Sequence, residues 1–407
     1  MSTNPTIEHE DRYGAHNYHP LPVVLTRGEG VWVWDDAGNR YLDMMSAYSA
    51  VSHGHCHPRL VRRLSEQAGR LAVCSRAFHT DTLAPFLERA CTLTGMDRAL
   101  VMNSGAEAVE TALKAARKWA YEVKGVAADR AEIIVCEGNF HGRTLAIISA
   151  STEEAYKKNF GPLLPGFKII PFGDAAALER AITPNTAAFL VEPIQGEAGI
   201  VVPPAGFMAR AAEICRKQRV LLIADEIQSG LGRTGKLLAC DHDGVKPDGL
   251  ILGKALGGGL LPVSMFLANA ELMNVFTPGT HGSTFGGNPL AAAVGKEALD
   301  VLIEERLIER SAELGAYLLK ELAALKSPFV HELRGKGLFI GMEIDPGKAR
   351  AREVVERLMV QGILSKETHE TTVRLAPPLV ISKEQIDWAV ERIDTVFAEM
   401  RGLRAAS

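Results

Sequence analysis

The sequence has 407 residues, of which 47% are apolar and 23% charged, with a formal net charge of −4 and a pI near 6.3. This composition is typical of a globular protein with a large core and excludes a disordered or fibrous chain. A mildly acidic chain has no overall attraction for nucleic acid or anionic lipid. No apolar run approaches the roughly 20 residues that cross a bilayer, and the polar residues 1–11 do not resemble an export signal. We expect a cytoplasmic protein that acts on small molecules, without nucleic-acid or membrane partners.

The positions of cysteine and histidine argue against a disulfide framework and against a metal centre. The six cysteines are scattered without a CxxC pair, which favours free thiols in a reducing compartment. His53, His55 and His57 have a spacing that can bind metal, but only Cys56 lies nearby to complete a site. We therefore predict no metal and interpret these histidines as turn and packing residues.

The predicted elements begin with a hairpin over residues 31–42, after a stretch rich in proline and glycine. Seven short apolar runs then predict buried strands, with amphipathic helices at 107–123 and 207–218 among them. These strands cover residues 99–102, 133–136, 168–171, 187–192, 220–225, 249–252 and 263–268. Beyond residue 295 we predict helices at 296–324, 348–360 and 383–400, with strands at 337–344 and 373–375.

The alternation of strands and helices between residues 99 and 268 predicts an α/β fold with a mostly parallel central sheet. The flanking regions predict a smaller α+β domain. We divide the chain into an N-terminal segment (1–48) that packs with the small domain, a large domain (49–294) and a C-terminal small domain (295–407). Ligands of such sheets bind beyond the carboxyl ends of the strands, so reactive groups are sought at the strand ends.

Three strand ends carry groups that together suit pyridoxal 5′-phosphate (PLP). Asp225 follows five apolar residues, and a buried carboxylate needs a cationic partner such as the pyridine nitrogen. Lys254 follows another strand between glycines, where a planar ligand can approach its amine and form a Schiff base. At Gly105 and Ala106 a strand turns into a helix whose first N–H groups can bind a phosphate. Singly, these features also fit a surface lysine, a helix cap and an ordinary turn.

Two other classes of protein share parts of this pattern. A nicotinamide-dependent dehydrogenase also has an α/β fold with glycine-rich turns, although the turn here is neither GxGxxG nor GxxxxGK[ST]. It would have no visible chromophore and would not need Lys254. A non-catalytic PLP-binding protein would be yellow but inert towards every amino donor.

Two motifs resemble those of a known family. Residues 222–235 are LIADEIQSGLGRTG and residues 252–259 are LGKALGGG, with Pro247 and Asp248 between them. This order resembles the signature of the class III aminotransferases, which are PLP enzymes of fold type I and usually dimers. The similarity runs from about residue 13 to about residue 381.

The resemblance implies that Lys254 is the catalytic lysine that holds PLP, and that Asp225 binds the pyridine nitrogen. It places Phe140 against the cofactor ring and Gln228 near the ring hydroxyl. The cofactor phosphate would be bound by Gly105 and Ala106 and by two residues of the neighbouring subunit, Ser283 and Thr284. The implied assembly is a homodimer with shared active sites.

Residues 13–22, 46–58 and 373–381 resemble the members of the class that act on free ornithine more than those that act on acetylornithine or 4-aminobutyrate. The implied reaction moves the δ-amino group of L-ornithine to 2-oxoglutarate. The implied substrate-binding residues are Tyr18, Tyr48, Arg143, Glu197 and Arg374.

The implied roles of these residues make physical sense. Arg143 and Tyr18 would hold the carboxylate far from the reacting carbon, and Arg374 would hold the α-carboxylate of 2-oxoglutarate. Glu197 would neutralise Arg374 while ornithine is bound, and Tyr48 would shape the pocket near the α-amino group. Without the resemblance, ordinary ion pairs and core packing would explain these side chains equally well.

One position departs from the ornithine pattern. Ser104 stands where many enzymes that act on ornithine have threonine, whereas enzymes that act on acetylornithine favour serine. An acetylornithine or other ω-amino-acid aminotransferase is therefore the alternative.

Overall fold

The structure, a computed structural model, describes residues 4–405, without the side chains of residues 404 and 405. Its strands are β1 (Leu25–Glu29), β2 (Trp32–Asp35), β3 (Arg40–Asp43), β4 (Arg98–Met102), β5 (Glu132–Cys136), β6 (Phe167–Ile170), β7 (Thr186–Val191), β8 (Leu221–Asp225), β9 (Gly249–Leu252), β10 (Ser264–Ala268), β11 (Val330–Lys336), β12 (Phe339–Ile344), β13 (Ile363–Leu364), β14 (Lys366–Thr368) and β15 (Thr372–Leu375).

The α-helices are Pro5–Tyr13, Pro58–Ala68, Leu83–Thr94, Gly105–Trp119, Leu145–Ile148, Glu154–Lys157, Ala175–Ala181, Phe207–Lys217, Ala270–Met273, Pro289–Glu304, Leu307–Ala324, Ala351–Val360 and Lys383–Ala405. A π-helical turn at Ala120–Lys124 and 3₁₀ turns at Ala239–Asp243 and Lys254–Gly257 complete the regular structure, with a left-handed turn at Ser46–Ser49. Within the described residues, every helix is too short or too polar to span a membrane.

A central sheet of seven strands holds all seven predicted strands, in the order β4-β10-β9-β8-β7-β5-β6. Only β10 runs antiparallel to its neighbours, and the other pairs are parallel. Every residue of β7, β8 and β9 is buried, because helices cover both faces of the sheet. This confirms the predicted α/β fold with a mostly parallel sheet. The carboxyl ends of β4, β5, β7, β8 and β9 consequently meet along one edge.

The prediction of one helix over residues 296–324 was wrong. Two helices, Pro289–Glu304 and Leu307–Ala324, replace it, because Arg306 adopts a left-handed conformation with φ 55° and ends the first helix. No glycine or proline marks this break in the sequence. The helix predicted at 107–123 begins earlier, at Gly105, and its last turn widens into the π-helical turn.

Two smaller sheets join distant parts of the chain. The first has the order β1-β2-β3-β13, so the N-terminal hairpin pairs with a strand near residue 363. The second has the order β11-β12-β15-β14 and lies entirely in the C-terminal region. The division of the chain at residues 48 and 294 stays a prediction.

Candidate active site

Six of the residues predicted to bind a cofactor line one cavity at the carboxyl edge of the central sheet. They are Gly105, Ala106, Phe140, Asp225, Gln228 and Lys254. The strands β4, β8 and β9 deliver most of these side chains, as expected for ligand sites of α/β sheets. Residues that are more than 100 positions apart in the sequence, such as Gly105 and Lys254, therefore line the same cavity.

Lys254 is the first residue of the 3₁₀ turn Lys254–Gly257 that follows β9, and its backbone is left-handed with φ 45°. Among the described residues its amine has no hydrogen bond or ion pair. Burial lowers the pKa of Lys254, although the carboxylates of Glu197 and Asp225 act in the opposite direction. A lysine with a lowered pKa has a larger fraction of neutral amine, and the neutral amine is the form that attacks a carbonyl.

Asp225 is the last residue of β8 and is buried. One of its oxygens accepts a 2.7 Å hydrogen bond from His141 Nδ1, and the other accepts one from the Ile227 N–H at 3.1 Å. Burial alone would lower the pKa of His141, but its hydrogen bond to Asp225 and the charge of that carboxylate raise it. His141 therefore stabilises the negative charge of Asp225 through this hydrogen bond.

The role of His141 was missed in the sequence. It directly follows Phe140, and the buried carboxylate at Asp225 already indicated that a cationic partner was needed. The signal was incomplete because 84 residues separate the two groups along the chain. His141 Nε2 is itself buried without a hydrogen-bond partner.

The helix Gly105–Trp119 begins with a capping box. Ser104 Oγ accepts a hydrogen bond from the Glu107 N–H at 3.2 Å, and the Glu107 carboxylate accepts one from the Ser104 N–H at 2.8 Å. The N–H groups of Gly105 and Ala106 have no acceptor within the helix and lie at the cavity, where they can bind an anion. A Cβ at Gly105 would approach Ile227 to 3.0 Å, so glycine keeps this entrance open.

Glu197 and Arg374 form an ion pair beside the cavity. Arg374 Nη1 donates to Glu197 Oε1 at 2.7 Å, and Gln228 Nε2 donates to the same oxygen at 3.3 Å. Burial would raise the pKa of Glu197, but the charge of Arg374 lowers it. The Arg374 guanidinium also lies 4.7 Å from the centre of the Tyr48 ring. Three of the predicted substrate-binding residues are therefore in contact.

Glu192, directly after β7, supports the loops around the cavity. Its carboxylate accepts hydrogen bonds from the N–H groups of Phe140 at 3.0 Å and Gly196 at 3.5 Å. Burial raises the pKa of Glu192 to about 7. Gly196 has no side chain because any Cβ would lie within 2.5 Å of the Gln228 amide.

The remaining predicted residues lie outside the cavity. Arg143 is exposed and lies 4.3 Å from the centre of the Tyr156 ring and 5.8 Å from that of Phe140. Tyr18 is 69% exposed. The structure places these two side chains at the surface, near but not within the cavity of Lys254.

Ser283 and Thr284 also lie outside the cavity of Lys254. Ser283 Oγ accepts a hydrogen bond from Asn103 Nδ2 at 2.8 Å, whereas Thr284 is exposed. The single chain therefore does not direct Thr284 at its own Lys254.

The cavity has the groups that PLP requires. It offers an unpaired amine at Lys254, a buried carboxylate at Asp225, an open helix start and the ring of Phe140. Gln228 Oε1 is buried without a hydrogen-bond partner among the described residues and can accept a hydrogen bond from a ring hydroxyl. The residues present therefore fit a phosphorylated pyridine aldehyde.

Comparisons with known proteins agree with this chemistry. The family model "Aminotransferase class-III" matches residues 13–397. The ornithine aminotransferase of Geobacillus sp. is 61% identical over 97% of this chain and 99% of its own length.

Solved structures give the same picture. An ornithine aminotransferase from Toxoplasma gondii, with partial occupancy of PLP at its active site, is 48% identical, with a TM-score of 0.97 over 98% of this chain and 95% of that one. An acetylornithine aminotransferase from Elizabethkingia anophelis is 50% identical, with a TM-score of 0.88 over 97% of this chain and 98% of that one.

Proposed function

Because this chain belongs to the class III aminotransferases, which have fold type I and use PLP, we propose that it is an ornithine δ-aminotransferase. It transfers the δ-amino group of L-ornithine to 2-oxoglutarate and yields glutamate 5-semialdehyde and glutamate. The observation that carries this proposal is the ion pair of Glu197 and Arg374 beside Lys254. The 61% identity to the ornithine aminotransferase of Geobacillus sp. supports the proposal independently.

PLP, when bound, supplies an aldehyde carbon and an electron-accepting ring through which the amino group passes. The amine of Lys254 would hold the cofactor and would act as the acid and base that moves a proton at the reacting carbon of the substrate. Asp225 accepts a hydrogen bond from the pyridine nitrogen, and His141 fixes the orientation of that carboxylate. A carboxylate held in this way keeps the ring nitrogen protonated, which strengthens the ring as an electron acceptor.

Three further contacts hold the cofactor in register with Lys254. The N–H groups of Gly105 and Ala106 bind the phosphate at the positive end of the helix dipole. Phe140 covers the ring, and Gln228 accepts a hydrogen bond from its hydroxyl. Gln228 also donates a hydrogen bond to Glu197. Its amide therefore connects the cofactor hydroxyl with the ion pair that faces the substrate.

The pair of Glu197 and Arg374 lets one pocket accept two unlike substrates. Ornithine presents its side-chain ammonium group to the reacting carbon, so a bare guanidinium there would repel that ammonium and attract the α-carboxylate at the wrong end of the molecule. Glu197 neutralises that charge. 2-Oxoglutarate has a carboxylate next to its keto group, which displaces Glu197 and forms a bidentate pair with Arg374.

The far end of each substrate is held by Arg143 and Tyr18. Arg143 pairs with the distal carboxylate in both half-reactions, and Tyr18 donates a hydrogen bond to it. Both side chains are exposed in the single chain, so they close on the substrate when it binds. Tyr48, stacked on Arg374, limits the space around the α-amino group and favours free ornithine over acylated analogues.

The active form is a homodimer. Ser283 and Thr284 reach the phosphate bound by the partner subunit; this assignment is supported by the exposure of Thr284 and by the absence of both residues from the lining of the cavity of Lys254. The neighbouring Phe285 side chain is 55% exposed, as expected of an interface residue.

The alternative donor is N-acetylornithine, which is favoured by Ser104 and by the similarity to an acetylornithine aminotransferase. Mixing the purified enzyme with each donor in single turnovers, while following the visible absorbance of bound PLP, separates the two. We expect kcat/KM for ornithine to exceed that for N-acetylornithine by at least about tenfold, because an acyl group in a tightly packed pocket costs more than about 1.4 kcal/mol. Faster turnover of the acetylated donor contradicts the proposal.

A further inference from the structure

Arg233 is the largest completely buried side chain among the described residues. It lies in the loop after β8 and forms no ion pair within the described part of the chain. Its Nη1 donates to the carbonyl oxygens of Leu338 at 3.0 Å and Pro377 at 2.6 Å, and its Nη2 donates to Ser52 Oγ at 2.9 Å. Its Nε is buried without a partner. Such incompletely compensated burial of a cation costs stability, so a function beyond packing explains it better.

The contact with Ser52 leads to the turn that carries Tyr48. Ser52 Oγ donates to the Ser49 carbonyl at 2.9 Å, at the end of the left-handed turn Ser46–Ser49. All four residues of this turn have positive φ, and none is glycine. This conformation is unfavourable for L-residues and persists only where the surroundings hold it. The position of the Tyr48 ring therefore depends on contacts outside the turn.

Pro377, the second of these contacts, lies in the segment that directly follows β15. Arg374 is a residue of β15 itself. Three hydrogen bonds join this segment to the region of the turn. Ser46 Oγ donates to the Ala376 carbonyl at 2.7 Å, the Ala376 N–H donates to the Met44 carbonyl at 2.7 Å, and the Leu379 N–H donates to the Ser52 carbonyl at 2.8 Å. Arg233 binds one atom of each of the two joined segments.

We infer that Arg233 is a positioning residue for the pair formed by Tyr48 and Arg374. Its guanidinium binds Ser52, which follows the turn, and Pro377, which follows β15. These contacts fix the Tyr48 ring against Arg374, the arginine that binds substrate. The inference rests on the proposed function, in which this pair selects free ornithine. Lysine would keep the charge at this position but lacks the planar fork that binds three acceptors at once.

The test compares Arg233→Lys with the matched control Arg310→Lys in the PLP-loaded enzyme. Arg310 also donates to two backbone carbonyls, those of Val380 and Ile381, but among the described residues it forms no hydrogen bond with the turn or with Pro377. Two readouts are taken for each variant. One is amide hydrogen exchange over residues 46–52, and the other is the ratio of kcat/KM for ornithine to that for N-acetylornithine.

Arg233→Lys should speed exchange over residues 46–52 by at least about tenfold. It should raise KM for ornithine and reduce the donor ratio by about tenfold, with a smaller change in kcat. The absorbance of bound PLP should be retained, and Arg310→Lys should leave every readout near the wild-type value. Unchanged exchange and an unchanged donor ratio in Arg233→Lys would overturn the inference.

A second variant covers the case in which Arg233→Lys fails to fold. Ser52→Ala removes one acceptor of the guanidinium, and we expect the same changes at smaller size; wild-type exchange in this variant would also overturn the inference. The exchange measurement involves no substrate. Failure of the proposed function would instead appear as a wild-type enzyme that is inactive towards ornithine, whatever the exchange rates of the variants.

Discussion

Burial acts in opposite senses on the two ionisable side chains closest to the chemistry. At Lys254 it lowers the pKa of the amine, because the loss of solvent outweighs the nearby carboxylates of Glu197 and Asp225. At His141 it is outweighed by the contact with Asp225, which raises the pKa of the imidazole. The same sheet edge thus favours the neutral amine of Lys254, while the buried carboxylate of Asp225 favours protonation of His141.

The raised pKa of His141 predicts a pH-dependent contribution to stability. A group whose pKa is higher in the folded state stabilises the fold below its unfolded pKa of about 6.5, and this contribution is lost as the pH rises through the folded pKa. His141→Asn should therefore lower the free energy of unfolding of the PLP-free protein by on the order of 1 kcal/mol more at pH 6 than at pH 9. Urea unfolding at both pH values measures this difference. The control His331→Asn, at an exposed position, should show no such dependence, and an equal loss at both pH values for His141→Asn contradicts the assigned pair.

At the scale of elements, the start of the helix Gly105–Trp119 joins folding to cofactor binding. Its capping box satisfies the N–H groups of Ser104 and Glu107 within the protein. The N–H groups of Gly105 and Ala106, which lie between these two residues, remain available to the phosphate. One loop therefore both stabilises the helix and holds the ligand.

Ser104→Ala should lower the free energy of unfolding by about 1 kcal/mol and should also weaken PLP binding, because the helix start frays. The matched control is Asp174→Ala, which removes the cap of the helix Ala175–Ala181 through the Ala177 N–H. Urea unfolding and titration of the apoprotein with PLP measure the two effects. The control should lose stability but retain cofactor affinity; equal affinity in both variants would exclude a phosphate role for this loop.

The elements that the sequence predicted well are those in which one physical signal dominates. The seven strands of the central sheet were recognisable as short apolar runs, which are continuous in β7, β8, β9 and β10 because these strands are buried on both faces. The break at Arg306 and the left-handed turn at Ser46–Ser49 were not predictable, because ordinary residues adopt positive φ there. Tertiary contacts impose those conformations, and a local pattern does not contain them.

The site shows the same division between local and tertiary information. Lys254 and Asp225 were identified because each follows an apolar strand and matches a specific motif. His141 was missed because its partner is distant in sequence, and Arg233 because a guanidinium bound by backbone carbonyls leaves no pattern of paired charges. The family resemblance implied that Glu197 neutralises Arg374; the structure shows the two side chains as an ion pair, and their role in catalysis stays a prediction.

At the scale of the whole molecule, the proposed dimer assigns Lys254 and Thr284 of each site to different subunits. Subunit exchange between Lys254→Ala and Thr284→Ala therefore tests the assembly. A mixed dimer holds one wild-type site of two and makes up about half of an equilibrated equal mixture, so activity at limiting PLP should rise to about a quarter of the wild-type value, above that of either variant alone. The control mixture contains Lys320→Ala, a change at an exposed lysine, in place of Lys254→Ala. Both subunits of its mixed dimer therefore keep Lys254. Absence of complementation, with a monomeric mass in light scattering, contradicts the shared site.

The most direct test of the central claim is the pair of half-reactions of Glu197→Gln. Glutamine keeps the volume and hydrogen-bonding ability of the side chain but removes the charge that neutralises Arg374. Stopped-flow absorbance of the PLP-loaded variant with ornithine, and separately with glutamate, measures each half-reaction. We predict that the ornithine half-reaction slows by at least about tenfold more than the glutamate half-reaction, because only ornithine needs the guanidinium neutralised. Equal slowing of both half-reactions would contradict the assignment of Glu197 as the switch between the two substrates.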